Sequence, residues 1–277
     1  MKIGLIAGGG ELPKHVLQAA TEDGLETTII GLQGYAKPED YKGQYFFKVA
    51  EFGKIIKRLK KAGCTHLCFA GIVKRPNFKS LKPDLKGMLH MPGAMKAAKE
   101  GDDALLRYLL SLFEKEGFEI VAPQTLCQSL LLPEGILGTV NILDAQSEDT
   151  RKACEVASQI GALDIGQAAV VCRGVVLAVE AQEGTDAMLG RILTLPETIR
   201  GTPANRSGVL AKMVKPGQDI RVDLPTIGPL TVENASKAGL AGIVGEGGRA
   251  FIIEREKTIQ MANEAGLFIA GLPPSRP

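Results

Sequence analysis

The chain has 277 residues, 45% of them hydrophobic and 23% charged, a globular balance that buries a proper core in one large domain or two ordinary ones. A formal net charge of +2 leaves no general nucleic-acid footprint. No apolar run reaches membrane-spanning length, and Met1-Lys2 leads straight into a strand rather than a signal peptide; this leaves peripheral membrane contact open.

In chain order, Ile3–Ala7 reads as a strand that runs into Gly8-Gly9-Gly10-Glu11 and then a helix over Leu12–Thr21. A nicotinamide fingerprint needs Gly-x-Gly-x-x-Gly; Gly8 and Gly10 fit its first two places, but Pro13 stands in the third. Proline is acceptable in a first helical turn, so the strand–turn–helix survives while the dinucleotide reading weakens. What remains is a loop whose backbone N–H groups favour an anion, or simply a tight turn.

Glu26–Leu32 and Tyr45–Val49 read as further strands. Phe52–Ala62 has helical spacing at Ile55, Ile56 and Leu59 and stops at Gly63, and Thr65–Ala70 is again strand-like. Residues 74–100, rich in Lys, Pro and Gly, read as a long, partly mobile loop of the kind that serves a site or a lid. A helix follows from Asp102 through Leu110 to Gly117, then a strand over Phe118–Ala122. The repetition predicts a parallel sheet with helices on both faces.

After a break at Leu132-Pro133-Glu134-Gly135 the pattern changes. Ser147–Gly161 reads as a helix capped by Ser147, and residues 168–181 as two strands joined at Arg173-Gly174, a hairpin signal. A helix near Asp186–Leu195, a Gly- and Lys-containing loop and a strand over Asp219–Leu224 come next. The helix Thr231–Ala238, the strands Ala241–Val244 and Ala250–Ile253, the helix Arg255–Ala265 and the strand Leu267–Gly271 close the chain. The expected fold is therefore two α/β domains: a Rossmann-like parallel-sheet domain over 1–134 and a mixed-sheet α/β domain over 135–277, with a ligand in the cleft between them.

The five cysteines are scattered among apolar residues and read as buried thiols of a reducing cytoplasm. Cys64-Thr65-His66-Leu67-Cys68 alternates like a strand and has no second ligand pair, so a zinc site is set aside. Acids, cations and glycines gather in four places. They are Gly8–Glu11; Lys99-Glu100-Gly101-Asp102-Asp103, where one aspartate caps the helix and the other is available to a sugar hydroxyl; Glu183-Gly184-Thr185-Asp186; and Gly208 to Gly228 with Lys212, Lys215, Arg221 and Asp223. Such sets suit a pyrophosphate: cations offset phosphate charge, and a carboxylate holds magnesium or orients water. Local capping and a solvated charged edge would look similar.

The segments LIAGGGELP, FAGIVKRP, GDDALLR, GQAAVVCRGVVLAVEAQEGTDAML and DLPTIGPLTVENASKAGLAGI occur here in that order. In this the chain resembles the LpxI family, UDP-2,3-diacylglucosamine pyrophosphatases of lipid A biosynthesis, over nearly its whole length. The resemblance implies magnesium-dependent hydrolysis, with water attacking the α-phosphorus to give UMP and 2,3-diacylglucosamine 1-phosphate (lipid X). The family's essential aspartate falls on Asp223, as catalytic residue and as metal ligand. Substrate contacts fall on Gly9, Gly10, Glu11, Lys74, Arg75, Asp102, Asp103, Gln167, Thr185, Asp186, Lys212 and Thr226. Met88, Leu89, Met91 and the leucines at 130–132 are candidates for an acyl cavity. A cytoplasmic enzyme in peripheral contact with the inner membrane follows, with room for a homodimer. A nucleotide-binding oxidoreductase and a non-catalytic nucleotide-lipid binder are the other classes that fit the residues.

Overall fold

The apolar run after Met1 forms β1 (Lys2–Ala7), whose residues from Ile3 onward are all buried, as expected of a strand covered on both faces. It belongs to the first of two α/β units in this computed structural model, which describes residues 1–41, 43–217, 219–221 and 224–274. That unit comprises Met1–Gln128 and the short piece containing Asp219–Arg221.

From β1 the chain runs through α1 (Leu12–Glu22), β2 (Glu26–Leu32), β3 (Tyr45–Phe47), α2 (Phe52–Lys61), β4 (His66–Ala70), α3 (Leu85–Glu100), α4 (Asp102–Lys115), β5 (Glu119–Ile120) and α5 (Pro123–Leu126). The strands lie in the order β3-β2-β1-β4-β5, all parallel. This is a Rossmann-like sheet, with its topological switch point between β1 and β4.

The spacing of Phe52, Ile55, Ile56 and Leu59 puts all four on one buried face of α2. That helix ends in a Schellman motif: Cys64 N–H bonds Leu59 O and Gly63 N–H bonds Lys60 O, with Gly63 at φ 76°. Phe113 of α4 meets Phe52 and Phe69 edge-on at 4.8 and 5.4 Å and fills the centre of the core.

Residues 74–100 are not one long loop. Residues 85–100 form α3, which starts where the Asp84 carboxylate accepts from Gly87 N–H at 2.8 Å. Pro92 inside it and Gly87 and Gly93 beside it suppress its helical signal in sequence. Tertiary packing overrides that signal: Ala94 and Ala98 bury against Leu105 of α4.

The second unit holds β6 (Gly135–Leu137), α6 (Asp144–Ala162), β7 (Ala168–Cys172), β8 (Val175–Val179), α7 (Thr185–Ile192), β9 (Val209–Lys212), β10 (Thr226–Ile227), α8 (Pro229–Lys237), β11 (Gly242–Glu246), β12 (Phe251–Ile252), α9 (Arg255–Ala265) and β13 (Phe268–Leu272). Six strands form a mixed sheet, β6-β13-β11-β9-β7-β8, in which β9, β11 and β13 are parallel. Alternation along the strands divides the core. Val170, Leu210, Ile243 and Ile269 face α7, α8 and α9, while Ala169, Val171, Val209, Ala211, Val244 and Ala270 face α6.

Several expectations shift here. The helix expected from Ser147 begins at Asp144, and Ser147 lies inside it, its hydroxyl turned back to Leu143 O; Gln146 instead accepts from Leu143 N–H at 2.9 Å. The strand expected over Asp219–Leu224 is absent at its described start, because Asp219 folds onto Arg221 in a turn. Part of the expected loop before it is the buried strand β9.

The Arg173-Gly174 hairpin holds as read. Both residues have positive φ, 51° and 76°, as a type I′ turn requires. Asp149 of α6, 3% exposed, accepts from Arg173 N–H at 2.8 Å and Gly174 N–H at 2.7 Å, and Lys152 donates to Gly174 O at 2.6 Å. Asp149→Ala strips the acceptor from two turn amides. Urea titration is expected to show a loss of about 2 kcal/mol, with Lys152→Ala costing less. An unchanged midpoint for Asp149→Ala would remove the carboxylate's role in holding the hairpin.

Candidate functional site

In the first unit the predicted residues collect around the carboxyl ends of β1 and β4, the switch point where α/β sheets build their sites. The loops leaving these strands are joined backbone to backbone: Gly9 N–H bonds Ile72 O and Ile72 N–H bonds Gly9 O, both at 2.9 Å. Cβ atoms do not fit there. One on Gly8 would lie 2.8 Å from Ile72 O, and one on Gly71, at φ 92°, would lie 2.6 Å from Gly9 O and 2.7 Å from Pro13 Cγ. Gly8 and Gly71 are thus glycines because the two loops touch. Gly10, at φ 86° and exposed, has open space around it.

Gly10 leads into the start of α1, where the N-cap Glu11 supplies no side-chain cap, Pro13 has no N–H, and Lys14 N–H bonds Glu11 O at 3.0 Å. Glu11 pairs with Lys14 at 3.0 Å, and Lys14 also pairs with Asp40 at 3.1 Å. The Glu11 hydrogen bond, followed by that from Asp40, holds the Lys14 ammonium above its ordinary pKa.

Beyond Gly71, Lys74 is exposed and its carbonyl accepts from Tyr35 Oη at 3.0 Å. Arg75 donates to Ala98 O at the end of α3 and pairs with Asp102 at 3.1 Å. Asp103 pairs with Arg107 one turn on at 2.9 Å. Neither aspartate is the N-cap of α4: Gly101, at φ 142°, holds that position and both acids lie in the first turn.

Asp219 and Arg221 also belong to this unit. Asp219 Oδ1 accepts from Arg221 N–H at 3.1 Å, and its carboxylate takes the guanidinium at 2.6–3.2 Å, while Glu114 of α4 accepts from Arg221 Nη1 at 2.9 Å. Gln124 of α5 donates to Ile220 O at 2.7 Å. The Arg221 hydrogen bonds lower the Asp219 pKa and raise that of Arg221. Asp223, the predicted essential aspartate, lies outside the described residues.

In the second unit Lys212 and Glu246 end the parallel strands β9 and β11, and both are buried, at 7% and 4% exposure. Lys212 Nζ donates to Thr226 O at 2.8 Å, fastening the segment that resumes at Leu224. Glu246 carries an ion pair with Arg249 at 3.4 Å.

Gln167 and Thr185 converge on a residue the sequence reading did not single out. Glu180, 6% exposed, accepts from Gln167 N–H at 3.1 Å and Thr185 Oγ1 at 2.8 Å. Its signal was a carboxylate ending an otherwise apolar strand pattern just ahead of Glu183-Gly184-Thr185. Asp186 lies elsewhere on α7, bound by Asn234 of α8 at 2.9 Å. Of the acyl-cavity candidates, Met88 and Leu89 are exposed on α3, and Leu132 is fully buried in the core of the second unit.

Among the described residues no three His, Cys, Asp or Glu side chains converge on a point that would hold a metal ion. The thiols carry no disulfide; burial raises the Cys68 pKa and holds that of Cys127 at about 12, so neither is a nucleophile at neutral pH.

Comparison with known proteins agrees with this division of the chain. Residues 2–130 match the model of the LpxI N-terminal domain and residues 133–270 that of the LpxI C-terminal domain. The UDP-2,3-diacylglucosamine pyrophosphatase LpxI of Caulobacter vibrioides is 50% identical over 99% of this chain and 98% of its own. Among solved structures, the Thermus thermophilus UDP-glucose 4-epimerase complex with NAD aligns with 99% of this chain and 87% of its own, at 13% identity and a TM-score of 0.29. On the two domain models and the Caulobacter relative, the chain belongs to the LpxI family.

Proposed function

We propose that this protein hydrolyses the pyrophosphate bond of UDP-2,3-diacylglucosamine, releasing UMP and 2,3-diacylglucosamine 1-phosphate in lipid A biosynthesis. The observation that carries the reading is the 50% identity, spread over 99% of the chain, to a relative named for that activity. The exposed Gly10, beside the β1–β4 switch point at the start of α1, supports it, since the backbone there is open to the approach of a phosphorylated ligand.

In this scheme a water oxygen attacks the α-phosphorus and the bond from that phosphorus to the bridging oxygen breaks. The β-phosphate leaves on the sugar, and the water gives up a proton. Asp223 is the carboxylate that orients the water, and it is also the protein's ligand to magnesium. Asp102, Asp103 and Asp219 each face an arginine, so Asp223, together with the diphosphate's own oxygens, would hold the ion. Bound in that way, magnesium supplies charge stabilisation to the diphosphate. We further place the protein in the cytoplasm, in peripheral contact with the inner membrane that holds its diacylated substrate. No helix of the described residues is long and apolar enough to cross a bilayer.

Asp223→Ala is expected to fold and retain substrate, because the uridine and acyl contacts persist, while turnover at saturating magnesium falls about a hundredfold or more. The check is steady-state turnover, with mass spectrometry of the retained lipid. A folded variant with near-normal turnover would take Asp223 out of the mechanism. Hydrolysis in ¹⁸O-water is expected to place the label in UMP; label in the sugar phosphate would mean attack at the β-phosphorus.

Ligand choice gives a further expectation. Pro13 packs against Gly71 where a dinucleotide helix would carry its third glycine. UDP-sugars at about a hundred times their Kd should therefore stabilise the protein by about 2.7 kcal/mol in thermal melts. NAD and NADP should leave the melts unchanged, and the opposite pattern would favour an oxidoreductase.

A further inference from the structure

α3 turns its apolar side chains toward water. Leu85, Met88, Leu89 and Met95 are 87%, 60%, 73% and 45% exposed, and Pro92 between them is exposed too. At about 100° per residue these five fall within an arc of roughly 120°, opposite the arc of Gly87, Ala94 and Ala98 that packs into the unit. The face is therefore a second apolar stripe, unused by the core.

The charge around it is one-sided. Residues 72–99 contain Lys74, Arg75, Lys79, Lys82, Lys86, Lys96 and Lys99, but Asp84 as their only acid. Asp84 is engaged at the helix start, where it accepts from Gly87 N–H and Lys54 N–H. The segment carries +6, or +5 with the exposed Glu100 that ends α3, within a chain whose total is +2; Arg75 and Lys86 are paired with Asp102 and Glu116. Lys96 and Lys99 fall within the exposed arc itself.

We propose that α3 is the element by which this protein docks on an anionic phospholipid bilayer. The helix would lie in the plane of the interface, its Leu85–Met95 stripe among the acyl chains and its lysines at the headgroups. Charge selects this occupant. A second copy of the chain would set one strongly basic face against another, whereas an anionic lipid surface complements both the stripe and its flanks. The docking deepens the lipid-substrate reading above but is tested without substrate, so either can fail alone.

The test is flotation of the purified full-length protein with vesicles of phosphatidylcholine alone or mixed with phosphatidylglycerol. Binding is expected only to the anionic vesicles and is expected to fall steeply with salt. Leu85→Glu with Met95→Glu, at positions already facing water, should leave the thermal midpoint unchanged and weaken vesicle binding by at least about tenfold. Turnover of detergent-dispersed substrate by that variant should match the parent. Lys82→Gln with Lys96→Gln should weaken binding while lowering its salt dependence. Equal vesicle binding by parent and Leu85→Glu/Met95→Glu protein, or no binding by the parent, would overturn the proposal. So would a dimer in sedimentation equilibrium that the variant splits, with no vesicle binding, since the stripe would then belong to a second copy.

Discussion

Two peptide bonds that meet without room for a Cβ govern the first unit. Where β1 and β4 end, the backbones of Gly9 and Ile72 exchange hydrogen bonds at 2.9 Å, and Gly8 and Gly71 are bare because any side chain there would strike the opposite loop. A parallel sheet opens a crevice at its switch point; this bridge closes the crevice floor and sets the direction in which both chains leave. One enters α1 through the open Gly10. The other runs through Lys74 and Arg75, and the Arg75 guanidinium ties it to the end of α3 and the start of α4. A methyl group at either glycine would disturb both exits together.

The charged groups around that crevice are arranged in pairs. Asp102 faces Arg75, Asp103 faces Arg107, and Asp219 and Glu114 share Arg221. Exposed pairs of this kind add little to stability, about 0–1 kcal/mol each. Their effect is to fix loops: the Asp219–Arg221 turn is held by one side-chain fork, one contact to α4 and one hydrogen bond from Gln124. In the second unit the comparable tether is buried. Lys212 has left water to donate to Thr226 O, so the chain is fastened again soon after it resumes at Leu224.

What was legible in the sequence follows from where each signal lives. Phe52–Lys61 and the Arg173-Gly174 hairpin were readable because their information is local: an apolar spacing of three and four, and a turn that demands positive φ. The parallel arrangement was readable from the repetition of strand and helix. α3 was not, because Gly87, Pro92 and Gly93 argue against a helix locally, and the packing that favours one comes from α4, many residues away. β9 was missed because Val209–Lys212 is too short an apolar run to show a period and lies among glycines and lysines that read as loop. At the site, the glycine loop announced itself, but Glu180 did not. A carboxylate becomes a structural acceptor only when Gln167 and Thr185 are brought to it.

α3 retains a poor helical sequence because its inner face has no room for side chains at Gly87 and Gly93. A stronger interior would replace Gly87, Pro92 and Gly93, yet two of these are fixed by packing: Gly87 lies against the carbonyl of Ala50, and Gly93 lies beneath the Tyr108 hydroxyl, with no room for a Cβ at either. The buried face is thus restricted to small residues, and with so little apolar area inward it adds modestly to the core. Of the larger side chains, Leu85, Met88, Leu89 and Met95 sit on the outward face, while Met91 is half-buried and His90 meets Phe52 edge-on at 5.6 Å. A helix held by its cap and by close backbone contact, with its bulk turned away from the protein, is stable as a platform rather than as a core element. That division between a thin, tightly seated inner face and a bulky, basic-flanked outer face matches an element whose main apolar partner lies outside the chain.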